Sequence, residues 1–362
     1  MGGSIPVSKK VSPFFTFFII HSTQVGVGVF GFQRNIARVA GYDGWQSILL
    51  AGVMLTLFVL IMYRLLGMVE GGLYQIHRVA FGKWAGGLVS TVFIFYFCLF
   101  ALMGVRFYME VVHVWMFPEL STFWATLLFF LIVVYLNYGG FRAITGISFL
   151  SIVLTAFIIP LFLFILPYAD FSNLLPLFDH SFQEILQGVY QLSYSILGAE
   201  VLLVAHPFIH HPEKSKKWSI LAVWGTCLLY LYLAILSFSY FPEVQLKKNI
   251  WTTLTMWKIF RMPFVERFEY IGIATWFLGI LPNTSMALWC AARLMKEVYS
   301  IPVRRNIWIV TFLCFIAANL IMSRKQLEWI SHFSSLFGFC LVFVYIPALF
   351  VFLWLKGKVR RV

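Results

Sequence analysis

Residues 13–38 read PFFTFFIIHSTQVGVGVFGFQRNIAR, and this stretch decides the fold of the chain. Gly26, Gly28 and Gly31 interrupt an apolar run that is otherwise long enough to cross a bilayer. Glycine has the weakest helix preference of any residue except proline, so three glycines within six positions predict an unwound segment halfway across the membrane. Backbone freed at that depth is tolerated only where it is buried in protein or lines a cavity. The broken first span is therefore a hypothesis about function as well as about structure.

Composition indicates an integral membrane protein. The 362 residues are 61% hydrophobic and only 11% charged, and the mean hydropathy is +0.88. A soluble domain carries about 25% charged residues. The net charge of +13 does not indicate binding to nucleic acid, because the charges lie at the ends of apolar runs. The five cysteines lie inside those runs without metal-ligand spacing, so we predict neither a metal site nor a cofactor.

Ten segments are predicted to be transmembrane helices, since a spanning helix needs about 20 mainly apolar residues. They are residues 13–38, 44–66, 84–112, 121–139, 143–167, 185–208, 217–241, 268–294, 305–323 and 331–355. An even count places both termini on the same side of the membrane. Of the 27 Lys and Arg residues, 17 then fall on the side of the termini, which favours a cytoplasmic location for both.

Two long connections are predicted to carry helices of their own. Residues 67–83 mix charged and apolar side chains and suit an interfacial helix on the cytoplasmic side. Residues 242–267 lie on the outer side and contain WTTLTMWKIF, which we interpret as a surface helix. Nothing in the sequence indicates a soluble domain, so residues 1–362 are predicted to form one membrane domain.

A second interruption lies in the sixth predicted span, which reads ILQGVYQLSYSILGAEVLLVAHPF over residues 185–208. Its centre holds Gly198 and the carboxyl group of Glu200, a group that is costly in hydrocarbon unless it is paired or faces a wet cavity. Interrupted helices at corresponding positions of two halves indicate an inverted-repeat transporter fold with its ligand near the midplane. We therefore predict an all-α fold whose five-helix repeats are residues 1–167 and 168–362.

Broken helices place half-helix ends in the middle of the membrane. The positive N-terminal ends attract a carboxylate, and freed carbonyl groups attract an ammonium group or a sodium ion. An α-amino acid carries both kinds of group and suits such a site. A K⁺ or Na⁺ ion, or a small polyol, would use only part of it.

These segments resemble a known family. The Gly26-Val27-Gly28 interruption and the Gly198-Ala199-Glu200 motif are similar to helices 1 and 6 of the amino acid–polyamine–organocation superfamily, which has the LeuT-like 5+5 fold. A closer resemblance, over essentially the whole chain, is to the B subunits of spore germinant receptors of the GerAB type. It is carried by the short basic N-terminus, the entry to the second span at residues 41–45 (GYDGW), the Gly-x-Glu of the sixth span, and the overall length.

The resemblance implies a membrane subunit that binds an amino acid or a similar nutrient and signals spore germination. It also implies partners, namely an A-type subunit and a lipoprotein C-type subunit, in the inner membrane of a spore or in a bacterial cell membrane. The alternative is an amino acid permease that performs ion-coupled or exchange transport. No nucleophile–base set, phosphate loop or catalytic carboxylate pair is present, so we predict no catalytic residues and no enzyme activity.

The candidate site residues come from both interruptions and from the third span. The predicted ligand-binding residues are Gly26, Val27, Gly28, Gly31, Tyr96, Tyr194, Ser195, Leu197, Gly198 and Glu200. The alternative for the glycines is close helix packing by small residues, and the alternative for Ser195 is a bond back to its own helix. Glu200 is expected to hold the unwound segment by accepting N–H bonds, or to pair with a polar group on a neighbouring helix.

A possible ion or water site lies in the eighth predicted span. Thr284 and Ser285 resemble, in type and position, the hydroxyl pair that LeuT-like sodium transporters place in helix 8. The alternative is a kink at Pro282 that the two hydroxyl groups satisfy.

Overall fold

The computed structural model describes residues 5–260 and 267–359, and over these residues the chain is helical without a β-strand. Arg261, Arg360 and Arg361, which contributed to the predicted orientation, lie outside the described residues. The α-helices are α1 Phe15–Gln24, α2 Phe32–Ala40, α3 Gly44–Met68, α4 Leu73–Trp115, α5 Thr122–Tyr138, α6 Gly140–Thr155, α7 Ile158–Leu161, α8 Phe182–Ile196, α9 Leu202–Ala205, α10 Lys216–Tyr240, α11 Glu243–Lys248, α12 Thr252–Trp257, α13 Phe268–Tyr299, α14 Val303–Leu320, α15 Arg324–Phe339 and α16 Ile346–Val359.

Helix length and composition support an integral membrane protein but not the predicted count of ten spans. Among the described residues, seven helices are long and apolar enough to cross a bilayer, or eight if one bent pair is a single span. The apolar helix α5 is shorter, with 17 residues. The first predicted span is divided into α1 and α2, of 10 and 9 residues, so neither part crosses a bilayer alone. The count of ten is therefore not confirmed, and the boundary between two repeats at residue 167 stays a prediction.

The predicted interruption of the first span is present, and we call residues 25–31 the first break. Helix α1 ends at Gln24, and Val25 leaves the helical region with a ψ of 80°. A single 3-10 turn, Val27–Phe30, follows, and α2 begins only after Gly31. The chain is thus unwound over the segment in which the three glycines cluster.

The interruption of the sixth span is also present, and we call residues 197–201 the second break. Helix α8 ends at Ile196, and the helical segments on either side of the break differ in direction by 53°. Leu197 is extended, and Gly198 has a φ of +135°. Side chains with a Cβ atom rarely adopt that backbone conformation, so Gly198 permits the turn. Both breaks fall where the glycines predict them.

The packing of the helices brings the two breaks together. Helix α13 packs along α4, and α10 packs against α1 and α3. Helix α1 contacts the 3-10 turn Ala199–Val201 of the second break, while α8 contacts the turn Val27–Phe30 of the first break. The first break therefore lies against α8, which leads into the second break. The second break lies against α1, which leads into the first.

The two long connections differ in how well they were predicted. Residues 67–83 do form a helical arm, which begins at Leu73 and turns back sharply at Gly82 (φ +83°), so that His77 Nδ1 lies 2.8 Å from Ser90 Oγ. The surface helix predicted within residues 242–267 exists as α12, but its location was wrong. Helix α12 is buried, because Trp257 packs its ring against Phe30 of the first break.

Candidate functional site

A cavity of about 440 Å³ lies between the first break and α8, the helix that leads into the second break. Five of the predicted ligand-binding residues line it: Val27, Gly28, Gly31, Tyr194 and Ser195. Small-molecule sites in proteins have volumes of about 300–1,000 Å³, so the cavity has room for a metabolite of the size of an amino acid. Helix α15 and the connection before α12 complete its wall.

Two hydroxyl groups on α8 line the cavity without a hydrogen-bond partner. Neither the Tyr194 hydroxyl nor the Ser195 hydroxyl is bonded to any group in residues 5–260 and 267–359. By contrast, the hydroxyl of Ser193 on the same helix is bonded to Tyr190 O at 2.6 Å. Polar groups inside a folded protein are normally hydrogen-bonded. The free hydroxyls are therefore available to a polar ligand.

Gly28 allows the first break to approach α8 closely at the cavity wall. A Cβ atom on Gly28 would lie 2.5 Å from Ser195 Oγ and 2.9 Å from Ser195 Cα. Both distances are shorter than a van der Waals contact, and the second involves backbone, which cannot rotate away. The residue at position 28 must therefore be glycine for the first break to pack against α8 as it does.

The carbonyl groups exposed at the first break are bonded by side chains from distant segments. Asn283 Nδ2 on α13 donates to Thr23 O at 2.6 Å, at the end of α1. Thr253 Oγ1 on α12 donates to Val29 O at 2.7 Å and accepts from Gln33 Nε2 at 2.8 Å. The bond from Thr253 favours the buried position of α12, because it satisfies a carbonyl that would otherwise be unpaired inside the membrane.

The carbonyl groups at the end of α8 are bonded in the same way by neutral side chains. Gln24 Nε2 donates to Ile196 O at 2.8 Å, and the Tyr230 hydroxyl donates to Ser195 O at 2.8 Å. Thr226 Oγ1 in turn donates to Gln24 Oε1 at 3.0 Å. Gln24 thus connects the end of α1 to the end of α8 through one side chain.

Glu200 stabilises the second break by accepting two hydrogen bonds. Its Oε1 atom accepts a hydrogen bond from the Tyr96 hydroxyl at 2.6 Å, and its Oε2 atom accepts from the Gly198 N–H at 2.9 Å. Glu200 and Tyr96 are almost fully buried. Tyr96 packs beside Leu197, since a Cβ on Gly338 would meet both side chains within 3.1 Å. These groups support the break and do not line the cavity.

The remaining predicted residues also lie outside the cavity wall. A Cβ on Gly198 would lie 2.8–2.9 Å from the backbone of Thr23 and Gln24, so this glycine is in contact with the end of α1. A Cβ on Gly26 would lie 3.3 Å from Asn283 Nδ2. The ten predicted residues therefore form two groups. Five line the cavity, and the other five pack around the backbone of the two breaks.

The hydroxyl groups of the predicted ion or water site are both buried. Thr284 Oγ1 and Ser285 Oγ have no hydrogen-bond partner among the described residues. An ion or a water molecule would satisfy them, which fits the sequence-based interpretation. Thr23 O of the first span is already bonded by Asn283, the residue before Thr284. The ion or water site stays a prediction.

Several residues that shape the site were not among the predicted ones. They are Gln24, Tyr230, Thr253 and Asn283, which bond the exposed carbonyls, and Arg34, Arg38, Arg324 and Glu328, which line the cavity. Polar side chains within apolar segments are themselves a signal of function. That signal identifies Gln24 and Asn283 in the sequence, but it does not say which carbonyl each one bonds.

Comparisons with known proteins identify the family of the chain. The family of spore permeases, described as spore germination proteins, matches residues 10–328. The spore germination protein GerQB of Bacillus cereus is 38% identical over 357 residues, which cover 99% of each chain. Spore germination protein B2 of Bacillus subtilis is 24% identical over 96% of each chain.

A solved transporter structure has the same fold. A Na⁺-coupled sialic acid symporter in a substrate-bound, outward-open state matches with a TM-score of 0.62 at 13% identity, over 95% of this chain and 76% of its own. At that identity the likeness shows the fold alone, which is the LeuT-like transporter fold. The family match covers most of the sequence. The chain is therefore an integral membrane protein that belongs to the family of spore germination proteins.

Proposed function

We propose that this chain is the B-type subunit of a nutrient germinant receptor. It binds a small ligand, in our proposal an amino acid, in the cavity between the first break and α8, and it signals spore germination. The observation that carries the proposal is the pair of free hydroxyl groups, on Tyr194 and Ser195, in a cavity of about 440 Å³ bounded by Gly28 and Gly31. The similarity to GerQB and to germination protein B2 supports the biological role.

The two ends of an amino acid suit different parts of the cavity wall. Helix α2 begins directly after Gly31, and Gly31 and Phe32 both line the cavity. The N-terminus of a helix carries a partial positive charge and free N–H groups, which favour a carboxylate. The hydroxyl oxygens of Tyr194 and Ser195 can accept hydrogen bonds from the ammonium group. A zwitterion therefore suits this cavity better than a simple cation.

An amino acid permease is the second candidate. It is favoured by the likeness to a Na⁺-coupled symporter and by the two buried, unbonded hydroxyls of Thr284 and Ser285, which a coupling ion would satisfy. Under either function we propose a binding protein without catalytic activity, located in the spore inner membrane or the cell membrane with both termini cytoplasmic. As a receptor it would work with A-type and lipoprotein C-type subunits.

Removal of one hydroxyl tests the location of the site. A thermal-shift screen of the purified protein against amino acids, sugars, nucleosides and K⁺ first identifies the ligand. Ser195→Ala should then weaken its binding about threefold to tenfold, the contribution of one hydrogen bond. Ser193→Ala is the matched control, because that hydroxyl does not line the cavity and is bonded to Tyr190 O at 2.6 Å, with a longer contact of 3.5 Å to Ser335 Oγ. Equal effects of the two changes, or none from Ser195→Ala, would refute the assigned cavity.

A transport assay separates the receptor from the permease. In proteoliposomes preloaded with the ligand, a receptor should show binding without saturable exchange of the radiolabelled compound. Robust counterflow that Ser195→Ala reduces and Ser193→Ala does not would replace the receptor proposal with the permease. In spores, the receptor predicts that Ser195→Ala raises the ligand concentration needed for germination by the same factor as it weakens binding.

A further inference from the structure

The mouth of the cavity carries an excess of positive charge. We define the mouth by the charged residues that line the cavity near its exposed end, which are Arg34 and Arg38 of α2 and Arg324 and Glu328 of α15. Three guanidinium groups therefore face one carboxylate. The charges differ in how they are compensated, and that difference locates a binding site.

The charge of Arg324 is balanced by carboxylates on two helices. Its Nη1 atom lies 2.8 Å from Glu110 Oε1 on α4, and its Nε atom lies 2.9 Å from Glu328 Oε1 on its own helix. The positive charge of Arg324 is thus fully compensated. Arg324 and Glu328 therefore form the neutral side of the mouth.

Arg34 and Arg38 form no ion pair within residues 5–260 and 267–359. The Nε atom of each lies 3.2 Å from the same acceptor, Lys247 O. Lys247 brings no negative charge of its own, and its ammonium group pairs with Glu243 at 2.5 Å. The shared carbonyl holds two like charges side by side, and at Arg34 the repulsion from Arg38 and that from Arg324 are each larger than the attraction of Glu328. A further anion between the two arginines would be favourable. The terminal nitrogen atoms of both guanidinium groups stay free to bind one, in the forked geometry that suits carboxylates and phosphates.

We propose that Arg34 and Arg38 form an anion-binding subsite that favours ligands with a second anionic group, such as the side-chain carboxylate of an acidic amino acid. The inference rests on the proposed function, because it assumes that the cavity admits the ligand. The α-carboxylate is accommodated near Gly31, so the arginine pair, one and two turns further along α2, meets the distal end of the molecule. The phosphate of a lipid headgroup has the same chemistry and is the competing source of the anion.

Glutamate and glutamine test the subsite, because they have nearly the same shape and differ by one charge. With the purified protein in nanodiscs of phosphatidylcholine, calorimetry should show glutamate bound at least about tenfold more tightly than glutamine, as expected for a charge-assisted hydrogen bond. In the double variant Arg34→Gln/Arg38→Gln the ratio should fall to about one, with glutamine binding unchanged. Lys248→Gln is the matched control, since Lys248 is an exposed cation of α11, next to Lys247, and does not line the cavity.

The outcomes separate this inference from the proposed function. Equal binding of glutamate and glutamine by the parent protein, or an unchanged ratio in the double variant, overturns the subsite and leaves the proposed function standing. Failure of both compounds and of every other amino acid to bind refutes the proposed function as well. Loss of the preference in nanodiscs that contain phosphatidylglycerol would assign the arginine pair to a lipid headgroup and overturn selection by the ligand.

A salt titration of the parent protein tests the subsite even if the double variant does not fold. Exposed charges are screened by added salt. An increase from about 20 mM to about 500 mM NaCl should reduce the preference for glutamate severalfold and leave glutamine binding unchanged. A preference that is independent of salt would overturn the subsite.

Discussion

The two breaks satisfy the same kind of exposed backbone by different means. The first break spans residues 25–31, and side chains more than 200 residues away bond the carbonyls at it: Thr253 bonds Val29 O, and Asn283 bonds Thr23 O just before it. Distant side chains bond the carbonyls before the second break as well, but this break also contains a glycine with a φ of +135° and a carboxyl group that accepts from its N–H. The difference between the breaks is this local contribution of Gly198 and Glu200.

This difference predicts how each break responds to mutation. In the second break, the positive φ, the contact with the end of α1 and the hydrogen bond to Glu200 all involve Gly198. At the first break, the donors Thr253 and Asn283 bond different carbonyls, and Gly26 is less closely packed than Gly28 and Gly31. We therefore expect severe effects at Gly198 and Glu200 and milder effects at Thr253 and Gly26.

Gly198→Ala should have a larger effect than Glu200→Ala, Thr253→Val or Gly26→Ala. The new Cβ would lie 2.8 Å from the Thr23 carbonyl carbon and 2.9 Å from Gln24 N, and the φ of +135° is strained for alanine. Backbone strain and overpacking each cost about 1–3 kcal/mol, so about 2–6 kcal/mol of stability should be lost. The melting temperature of the purified protein measures the loss. Gly67→Ala is the control, because a Cβ there meets no atom within 4 Å, and equal melting of the two variants would contradict a tight contact at Gly198.

Glu200→Ala should give the second largest effect. It leaves the Tyr96 hydroxyl and the Gly198 N–H buried without partners, at about 1–3 kcal/mol for each group. Glu200→Gln is the matched variant. Its amide oxygen can accept from Gly198 and its amide NH₂ can donate to Tyr96, so it should stay within about 1 kcal/mol of the parent protein. Melting temperatures compare the two. If Glu200→Gln were as unstable as Glu200→Ala, the carboxyl charge itself would be essential to the second break.

The sequence predicts the positions of both breaks but not the groups that complete them. Glycine clusters and a lone carboxyl group in apolar segments are local signals, and the structure contains both breaks at those positions. The partners of the first break come from far along the chain. Residues 251–260 resemble a surface helix because they mix polar and apolar side chains, whereas Thr253 in fact bonds Val29 O inside the protein. Such pairing depends on packing, which one sequence does not display.

Prediction of the candidate site from the sequence is limited in the same way. Five of ten predicted ligand residues line the cavity, because residues at a break are exposed to whatever space the break creates. Tyr96, Leu197 and Glu200 instead support the backbone. The arginines at the mouth were missed, since the sequence places Arg34 and Arg38 at the end of an apolar run, where cations are ordinary. Their position in the cavity wall and their shared bond to Lys247 O distinguish these two arginines from cations that only anchor a helix at the membrane surface.

Thr253→Val should have an intermediate effect on the first break. Valine keeps the volume of threonine but removes the hydroxyl that bonds Val29 O and Gln33 Nε2, at about 1–3 kcal/mol. Because α12 is held against the first break by this hydroxyl, limited proteolysis within residues 241–260 should become faster. Thr255→Val is the control, since its hydroxyl bonds only Trp251 O and Asn249 Oδ1 within the same connection. Equal proteolysis of the two variants would show that packing, and not the Thr253 bond, holds α12 in place.

Gly26→Ala should have the smallest effect, although Gly26 lies in the sequence that defines the first break. Its φ of −104° is accessible to alanine, and the nearest atom to a new Cβ would be Asn283 Nδ2 at 3.3 Å. That atom ends a side chain and can move by a few tenths of an ångström, so the loss should be below about 1 kcal/mol. The adjustment strains the bond from Asn283 to Thr23 O. In a double-mutant cycle read by thermal melting, Gly26→Ala should therefore cost nothing further once Asn283→Ala is present. A loss above about 2 kcal/mol for Gly26→Ala alone would mean that the first break is as locally determined as the second, and the comparison would fail.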